Sequence, residues 1–180
     1  MPRKPRRATF HHGDTRRAAV EAALVLVTQD GREALTLRTV AERIGVNHRA
    51  LYRHFASLEA LKVEVAALGF GRLADVLEKV PPGQPRALAR AYATFAFAEP
   101  SLYDLMFSLP LRQWYGDDTA LGPAMRRVTA AAVVAIGTAD AQASVFRLWG
   151  LAHGLIGLYR AGAWRARSDR QAIRFIAGLV

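Results

Sequence analysis

The sequence predicts an all-α protein, and three features of the chain support that fold class. Apolar residues recur every three or four positions along most of its 180 residues, as at Val20, Ala23 and Val27, which is the spacing of one helix face. Residues that cap helices and glycines that end them stand at the borders of these runs. No stretch alternates between apolar and polar residues in the manner of a β-strand, and no internal repeat competes with the helical pattern.

The first two helices can be placed from their borders. Helix 1 is expected to be capped by Asp14 or Thr15 and to stop at Gly31. Helix 2 follows the capping residue Thr36 and ends at Gly45, because glycine readily takes the left-handed conformation found at helix ends.

Helices 3 and 4 follow directly, and further helices come after a break. Asn47 caps a short helix 3, and Ser57 begins helix 4. The segment "PPGQP" at 81–85 cannot continue a helix. Beyond it we expect five helical segments, with Asp140 and Ser168 as caps of the last two, near 86–98, 101–108, 119–136, 140–163 and 169–178.

Composition narrows the class of protein. With 52% hydrophobic and 22% charged residues, the chain is expected to fold around a core. It has no cysteine, so disulfides, thiolate zinc sites and a cysteine nucleophile are excluded. The N-terminus lacks the apolar core of a secretory signal, and the most apolar windows are interrupted or flanked by charges. We therefore expect a cytoplasmic protein with no membrane partner.

The net charge of +10 is unevenly distributed. Residues 1–55 carry 11 Lys and Arg against 5 Asp and Glu, while the remaining 125 residues carry 14 against 10. The excess in the second segment is typical of a solvated surface. The concentration in the first segment favours a polyanionic partner such as nucleic acid.

The segment "GVNHRALYRHF" at 45–55 contains a helix-turn-helix pattern. Ala41, Gly45 and Leu51 stand at offsets 0, +4 and +10, which lets helices 2 and 3 cross closely around a glycine turn. Val46 and Leu51 would then face the interior. The opposite face of helix 3, which would enter a major groove, carries His48, Arg49, Tyr52 and Arg53.

Three stretches together resemble the TetR family of transcriptional regulators, in the branch with a WHG-type C-terminal domain. They are "FHHGDTRRAAVEAALVLV", "LTLRTVAERIGVNHRALYRHFASLEAL" and "LWGLAHGLIGLY". The resemblance implies an all-α dimer with an N-terminal three-helix DNA-binding domain. It also implies a C-terminal helical domain that holds an inducer and forms the dimer.

The residues of helix 3 can be given roles at the DNA. Arg49 has the donor geometry to bind guanine O6 and N7. His48 can donate to a base edge or a phosphate, or remain a surface residue. Tyr52 and His54 match family positions that hold the DNA backbone, although His54 could instead be structural.

Further DNA contacts are expected around helices 2 and 4. Arg38 matches a base-reading position of some relatives, and Thr36 one that caps helix 2 and reaches a phosphate. The sequence departs from the family where Leu58 replaces a phosphate-binding lysine, so Lys62 or the basic arm would supply that charge. The predicted DNA-contacting set is Thr36, Arg38, Asn47, His48, Arg49, Tyr52, Arg53, His54 and Lys62.

The C-terminal half offers aromatic residues for a ligand pocket, although aromatic residues at helical spacing are more often plain core. The predicted ligand-contacting set is Phe95, Tyr103, Met106, Phe107, Trp114, Trp149 and His153. The resemblance assigns the last two helices to dimerisation, where Ala152, Gly154, Gly157, Ala161 and Gly162 would allow close packing and Phe175, Ile176 and Leu179 would need covering.

No motif for catalysis or metal binding stands out. A phosphate loop and the HExxH and GxSxG patterns are absent from the sequence. His11, His12 and Asp14 match the ordinary lead-in to helix 1, which does not favour a metal site. We expect no catalytic residues, no metal and no cofactor.

These observations predict a dimeric, inducer-responsive repressor of a near-palindromic operator. Its parts would be a basic flexible arm at 1–13, a helix-turn-helix domain at 14–56 and a helical regulatory and dimerisation domain at 57–180, with helix 4 as connector. The partners would be double-stranded DNA, a second copy of the chain and a small-molecule inducer, for which the apolar lining favours a lipophilic compound. The alternatives are an architectural DNA-binding protein without a ligand, and a helical enzyme or carrier.

Overall fold

The computed structural model describes residues 12–114, 116 and 119–180, and within it the side chains of residues 12–14 and 114 are not described. This part of the chain is built from α-helices and one short 3-10 helix, Arg32–Ala34, in agreement with the predicted fold class. The predicted basic arm at 1–13 lies almost wholly outside the described residues. The α-helices are α1 His12–Asp30, α2 Leu37–Ile44, α3 His48–Leu51, α4 Leu58–Leu77, α5 Pro85–Ala98, α6 Pro100–Ser108, α7 Leu111–Trp114, α8 Leu121–Ile136, α9 Ala141–Arg160 and α10 Asp169–Gly178.

Side-chain caps set the starts of α2, α3 and α4, as expected. The Thr36 hydroxyl accepts a hydrogen bond from the Thr39 backbone N–H, and the Thr39 hydroxyl in turn accepts from the Thr36 N–H. The Asn47 side chain caps α3, and the Ser57 side chain caps α4. Because each cap pairs a backbone donor that lacks a helical partner, the borders of the helix-turn-helix unit follow from local sequence.

Two predicted caps are wrong. Helix α1 begins at His12, so Asp14 and Thr15 lie inside its first turn and do not precede it. Asp140 does stand before α9 but makes no capping hydrogen bond. Its carboxylate instead accepts a hydrogen bond from Arg147 at 3.0 Å, since an arginine two turns into the helix offers a charged donor.

Helix α4 connects the helix-turn-helix unit to the rest of the molecule. It packs along α8 and also contacts α1, α5 and α6, while α10 lies on α5 and α9 packs against α5 and α8. The buried apolar residues form one continuous cluster from α1 to α10. The two halves of the chain therefore share a core, and a displacement of α4 would change the packing in both halves.

No single helix among the described residues is long and apolar enough to cross a membrane. Helices α8 and α9 pass such a test only as a pair, and the pair is bent by 104°.

Candidate DNA-binding face and ligand cavity

The helix-turn-helix unit presents one face of α3 to solvent and buries the other. Leu51 is completely buried, whereas the side chain of Tyr52 is 58% exposed. Phe55 is also buried, so the interior positions lie four residues apart. The exposed side of the segment carries all four residues predicted to face a groove, namely His48, Arg49, Tyr52 and Arg53.

The turn between α2 and α3 has the geometry that this arrangement requires. Gly45 has a φ of 71°, in the left-handed region that side chains resist. The backbone N–H of Val46 then donates to the carbonyl of Ala41 at 3.0 Å and closes the turn. The Asn47 side chain accepts from the Arg49 N–H at 2.9 Å, so its role in the structure is to orient α3.

Arg38 and Thr36 lie exposed near the start of α2. The Arg38 guanidinium donates to Glu42 at 2.9 Å, and this carboxylate raises the pKa of Arg38. Because a guanidinium carries five N–H donors, the pair leaves Arg38 able to reach a second acceptor. The hydroxyl of Thr36 is occupied by its capping bond with Thr39.

The start of α4 differs from the family pattern in a way that the structure explains. Leu58, which stands where a lysine was expected, is partly buried and packs against the core. Lys62 lies one turn further on with Nζ 3.7 Å from the Glu59 carboxylate. Leu58 therefore contributes packing in place of charge. Lys62 is the cation of α4 that lies closest to the start of the helix.

Arg16 of α1 makes several contacts that the sequence did not predict. Its guanidinium donates to the backbone carbonyl of His54 at 2.8 Å and to the Glu64 carboxylate at 2.5 Å. It also lies over the ring of Phe55, with Cζ 5.0 Å from the centroid. Arg16 thus joins α1, the end of the recognition segment and α4. Its partners stand 38 and 48 residues away in the chain, so no short-range pattern could reveal them.

Helices α4 to α9 surround an apolar cavity of about 260 Å³. Helix α4 supplies Phe70, Leu73 and Leu77 to its wall, and α8 supplies Met125, Val128, Thr129 and Ala132. The remaining lining residues come from α5 to α7 and from α9: Leu88, Tyr92, Phe107, Leu111, Gln142, Val145, Phe146, Leu148 and Trp149. None of the residues in this wall carries a charge.

Of the predicted ligand residues whose side chains the structure describes, only Phe107 and Trp149 line this cavity. Phe95 and Met106 are buried in the core outside this lining. Met106 fills the crossing of α4 and α6, where a Cβ on Gly69 would come within 2.6 Å of its sulfur. Tyr103 and His153 also lie outside the wall, and the side chain of Trp114 lies outside the described residues.

Tyr103 and His153 belong to a hydrogen-bonded cluster beside the cavity. The indole N–H of Trp149 donates to the Tyr92 hydroxyl at 2.9 Å, and the Tyr92 and Tyr103 hydroxyls are 2.9 Å apart. The Nδ1 atom of His153 lies 2.5 Å from the Tyr103 hydroxyl and 3.1 Å from that of Tyr92. Tyr92 and Trp149 line the cavity, so the cluster forms its polar side.

The protonation of this cluster follows from burial. Burial, and then the charge of Arg160, lower the pKa of His153, so the imidazole is neutral at pH 7. Burial raises the pKa of Tyr103 to about 12 and raises that of Tyr92 as well, so both phenols keep their protons. Because Trp149 donates to Tyr92, one consistent order is Tyr92 donating to Tyr103 and Tyr103 donating to Nδ1 of His153.

The predicted ligand-contacting set missed most of the cavity wall because, apart from Met106 and His153, it contains only Phe, Tyr and Trp residues. Val128, Thr129 and Ala132 recur on one face of α8, a signal that could have marked this helix as a wall. The described residues contain no group of three His, Cys, Asp or Glu that could hold a metal ion.

Helices α9 and α10 expose apolar residues on the outer surface. Phe146, Leu158, Phe175 and Leu179 are each about half exposed, and a Cβ added at Gly150, Gly154 or Gly157 would meet nothing within 4 Å. Ala152 and Ile176 instead lie fully buried in the monomer, so they are not available for the contact expected of them. The other small and apolar residues named for this surface, including Ala161 and Gly162, are exposed.

An exposed recognition helix on a helical domain with an apolar cavity defines a helix-turn-helix transcriptional regulator. Two family models agree with this class. The tetR family model of bacterial regulatory proteins matches residues 19–65, and the tetracyclin repressor-like C-terminal domain matches residues 86–177. The chain therefore belongs to the TetR family of transcriptional regulators.

Individual relatives extend this result. An HTH-type transcriptional regulator of Mycobacterium tuberculosis, Rv0681, is 29% identical over 159 residues, which cover 82% of this chain and 71% of the relative. The HTH-type transcriptional repressor KstR of Rhodococcus jostii is 39% identical over 71 residues, or 39% of this chain and 33% of KstR. The second match spans only a third of its relative, so it says little about the rest of either chain.

Solved structures show the same fold. A protein of unknown function from Rhodococcus sp. RHA1 superposes with a TM-score of 0.72 at 26% identity, covering 96% of each chain. The regulator PfmR of Thermus thermophilus superposes with a TM-score of 0.56 at 19% identity, covering 89% of this chain and 95% of PfmR.

Proposed function

We propose that this TetR-family protein is an inducer-responsive repressor that binds a near-palindromic operator as a homodimer. The observation that carries the proposal is the position of α4. Its first turn adjoins the recognition segment, and its later turns contribute Phe70, Leu73 and Leu77 to the cavity wall. A ligand in the cavity would press on the helix that holds the DNA-binding unit. In this proposal 14–56 is the DNA-binding domain and 57–180 the regulatory domain, and the protein acts in the cytoplasm without catalysis or cofactor.

The exposed face of α3 would read the DNA. Arg49 would bind a guanine in the major groove, with His48 at a neighbouring base edge or phosphate. Tyr52 and Arg53 would hold the backbone, and Lys62 would approach it from α4. Arg38 would add a base contact with the N–H donors that its pair with Glu42 leaves available. Asn47, Thr36 and His54 would support this face by orienting the two helices and the end of the segment.

The dimer would form through the exposed apolar surface of α9 and α10. Phe146, Leu158, Phe175 and Leu179 would be covered by the same residues of a second copy, because a two-fold interface brings identical surfaces together. The exposed glycines of α9 would let the helices approach closely. Two recognition helices would then enter successive major grooves, roughly 34–36 Å apart.

The inducer would be a neutral, lipophilic molecule. The wall of the cavity is apolar and uncharged, so an ionic ligand would lose its hydration without gaining a counter-charge. Thr129, Gln142 and the hydroxyl of Tyr92 provide polar contacts at fixed points. The dimer can adopt two conformations, one in which the spacing of its DNA-binding units fits the operator and one in which it does not. The ligand releases the operator only if it binds the second conformation more tightly than the first.

Footprinting of the protein on the DNA upstream of its own gene tests the proposal. We expect protection of one near-palindromic site, bound at least about a thousandfold more tightly than random DNA. Equal binding to all sequences with a steep dependence on salt would identify an architectural protein instead. Neutral lipophilic compounds that bind the protein should then release this DNA, whereas a protein that binds them without releasing DNA would contradict the repressor mechanism.

A further inference from the structure

A group of three arginines lines a groove between α5 and α10, on the outside of the regulatory domain. Arg90 lies on α5, and Arg170 and Arg174 lie one turn apart on α10. Thr94 and Ile173 complete the lining. All three arginines are exposed, and none of them forms an ion pair with a carboxylate among the residues that the structure describes. The DNA-binding unit and the apolar cavity use none of these five residues.

Among the residues that the structure describes, the carboxylates of the regulatory domain are already engaged with other partners. Every carboxylate described after residue 57 already has an ion-pair or hydrogen-bond partner elsewhere. Glu59 pairs with Lys62, Glu64 with Arg16, Asp75 and Glu78 with Arg127, Glu99 with Arg72, Asp104 with Arg160, Asp140 with Arg147 and Asp169 with the hydroxyl of Tyr159. In a symmetric dimer the same carboxylates of the second copy are engaged in the same way. Among the described residues, no carboxylate of the regulatory domain is therefore left unengaged to pair with the arginines of this groove.

The position of the arginines also works against α10 itself. Arg170 stands in the first turn of the helix, where the exposed N–H groups already create a positive potential. Arg174 places a like charge one turn further along the same face, which is unfavourable at that spacing. Asp169, the acid of the first turn, accepts from Tyr159 and is not paired with either arginine. An anion bound in the groove would reverse both of these unfavourable interactions.

We propose that the groove between α5 and α10 binds a small phosphate-bearing anion. Guanidinium groups present paired N–H donors that match the oxygens of a phosphate, and three of them can surround one group from two helices. Ile173 and the aliphatic stems of the arginines give the rest of the molecule an apolar surface. The site adjoins the ligand cavity through α5, because Leu88 and Tyr92 of this helix line the cavity while Arg90 and Thr94 line the groove.

Calorimetric titration of the full chain with inorganic pyrophosphate tests the site. Pyrophosphate carries the proposed chemistry without the rest of a ligand, and the titration requires no DNA. The double variant Arg170→Gln/Arg174→Gln is expected to bind it at least about tenfold more weakly than the unaltered protein, as loss of two charge-assisted contacts predicts. The matched control is Arg165→Gln/Arg167→Gln, which removes the same charge from exposed positions outside the groove and should retain the binding.

Three outcomes would overturn the proposal. A failure of pyrophosphate to bind even the unaltered protein would show that the groove is not an anion site. An equal loss in both double variants would show a general effect of charge. Dissociation of Arg170→Gln/Arg174→Gln into monomers, seen by sedimentation while the control stays dimeric, would assign the arginines to the subunit contact. Circular dichroism of each variant confirms that the fold is retained, and none of these outcomes depends on the proposed operator.

Discussion

The exposed face of α3 and the apolar cavity are built in opposite ways. The face is exposed and polar, and its outward side chains, His48, Arg49, Tyr52 and Arg53, come from one short stretch whose direction follows from a glycine turn and an asparagine cap. The cavity is apolar, and its wall is drawn from six helices between Phe70 and Trp149. A face of this kind depends on helical phase alone, whereas the cavity depends on how distant helices pack. Substitutions in one region should therefore change its own binding or stability and leave the other region unaffected.

The largest expected effect is on stability and comes from removing a buried side chain beneath the exposed face of α3. Leu51→Ala removes a fully buried side chain from the core of the DNA-binding unit and should lower the free energy of unfolding by about 2–5 kcal/mol. Urea denaturation measures this change. The neighbouring Tyr52→Ala is the control, because Tyr52 is exposed and its loss should weaken DNA binding while leaving stability within about 0.5 kcal/mol. Similar destabilisation by both would contradict the orientation of α3.

The next effect concerns the reading of DNA. Arg49→Ala should lower operator affinity by roughly 1–3 kcal/mol, because a bidentate contact to one guanine is lost. Binding to operators altered at each position in turn would show the loss at one base pair per half-site. If affinity fell equally on every sequence, Arg49 would be a phosphate contact and the assignment of base reading would be wrong. Stability should not change, since Arg49 is exposed.

A substitution in the cavity should leave the face untouched. Ala132→Leu adds apolar atoms to the wall contributed by α8 and should weaken binding of the neutral dye Nile red by about tenfold, since the space is filled. Fluorescence titration measures the dye, and operator affinity in its absence should stay the same. Ala130→Leu, at an exposed position of the same helix outside this wall, is the matched control. Undiminished binding of the dye to Ala132→Leu would place the ligand elsewhere.

The smallest effect falls on the connection between the two regions. Arg16→Gln and Glu64→Gln break an ion pair that is partly exposed, so each should lower stability by no more than about 1 kcal/mol. If Arg16 positions the recognition segment, operator affinity should fall in Arg16→Gln more than in Glu64→Gln, because only Arg16 also holds the carbonyl of His54. A double-mutant cycle on operator binding measures the coupling of the pair. If the losses of operator affinity in the two single variants added up in the double variant, the Arg16–Glu64 contact would not couple α4 to the exposed face of α3.

The ends of the helices and the phase of α3 could be read from the sequence. Thr36, Asn47, Ser57 and Ser168 cap the helices that they were expected to cap, since each acts on a backbone N–H two or three residues away. Asp140 failed as a cap because Arg147 competes for its carboxylate. The reading of α3 succeeded for the same local reason, as a helical face repeats within four residues.

The residues of the cavity could not be selected in this way. Phe95, Phe107 and Met106 are all large and apolar, yet only Phe107 reaches the cavity. The direction of each side chain relative to a void depends on the helices opposite it, as the close crossing of Gly69 and Met106 shows. Tyr103 and His153 likewise form a hydrogen-bonded cluster with residues of other helices and leave the wall to Tyr92 and Trp149.

The sequence by itself determined that this protein is helical, where its helix-turn-helix lies and which side chains of α3 point outward. These properties rest on hydrogen bonds and spacings that span two to four residues. Only the tertiary structure decided the shape and lining of the cavity, the cluster of Tyr92, Tyr103, Trp149 and His153, and the contacts of Arg16. The contacts of Arg16, and those of Trp149 and His153 with the two tyrosines, join residues 38 to 61 positions apart, whose meeting depends on the packing of whole helices.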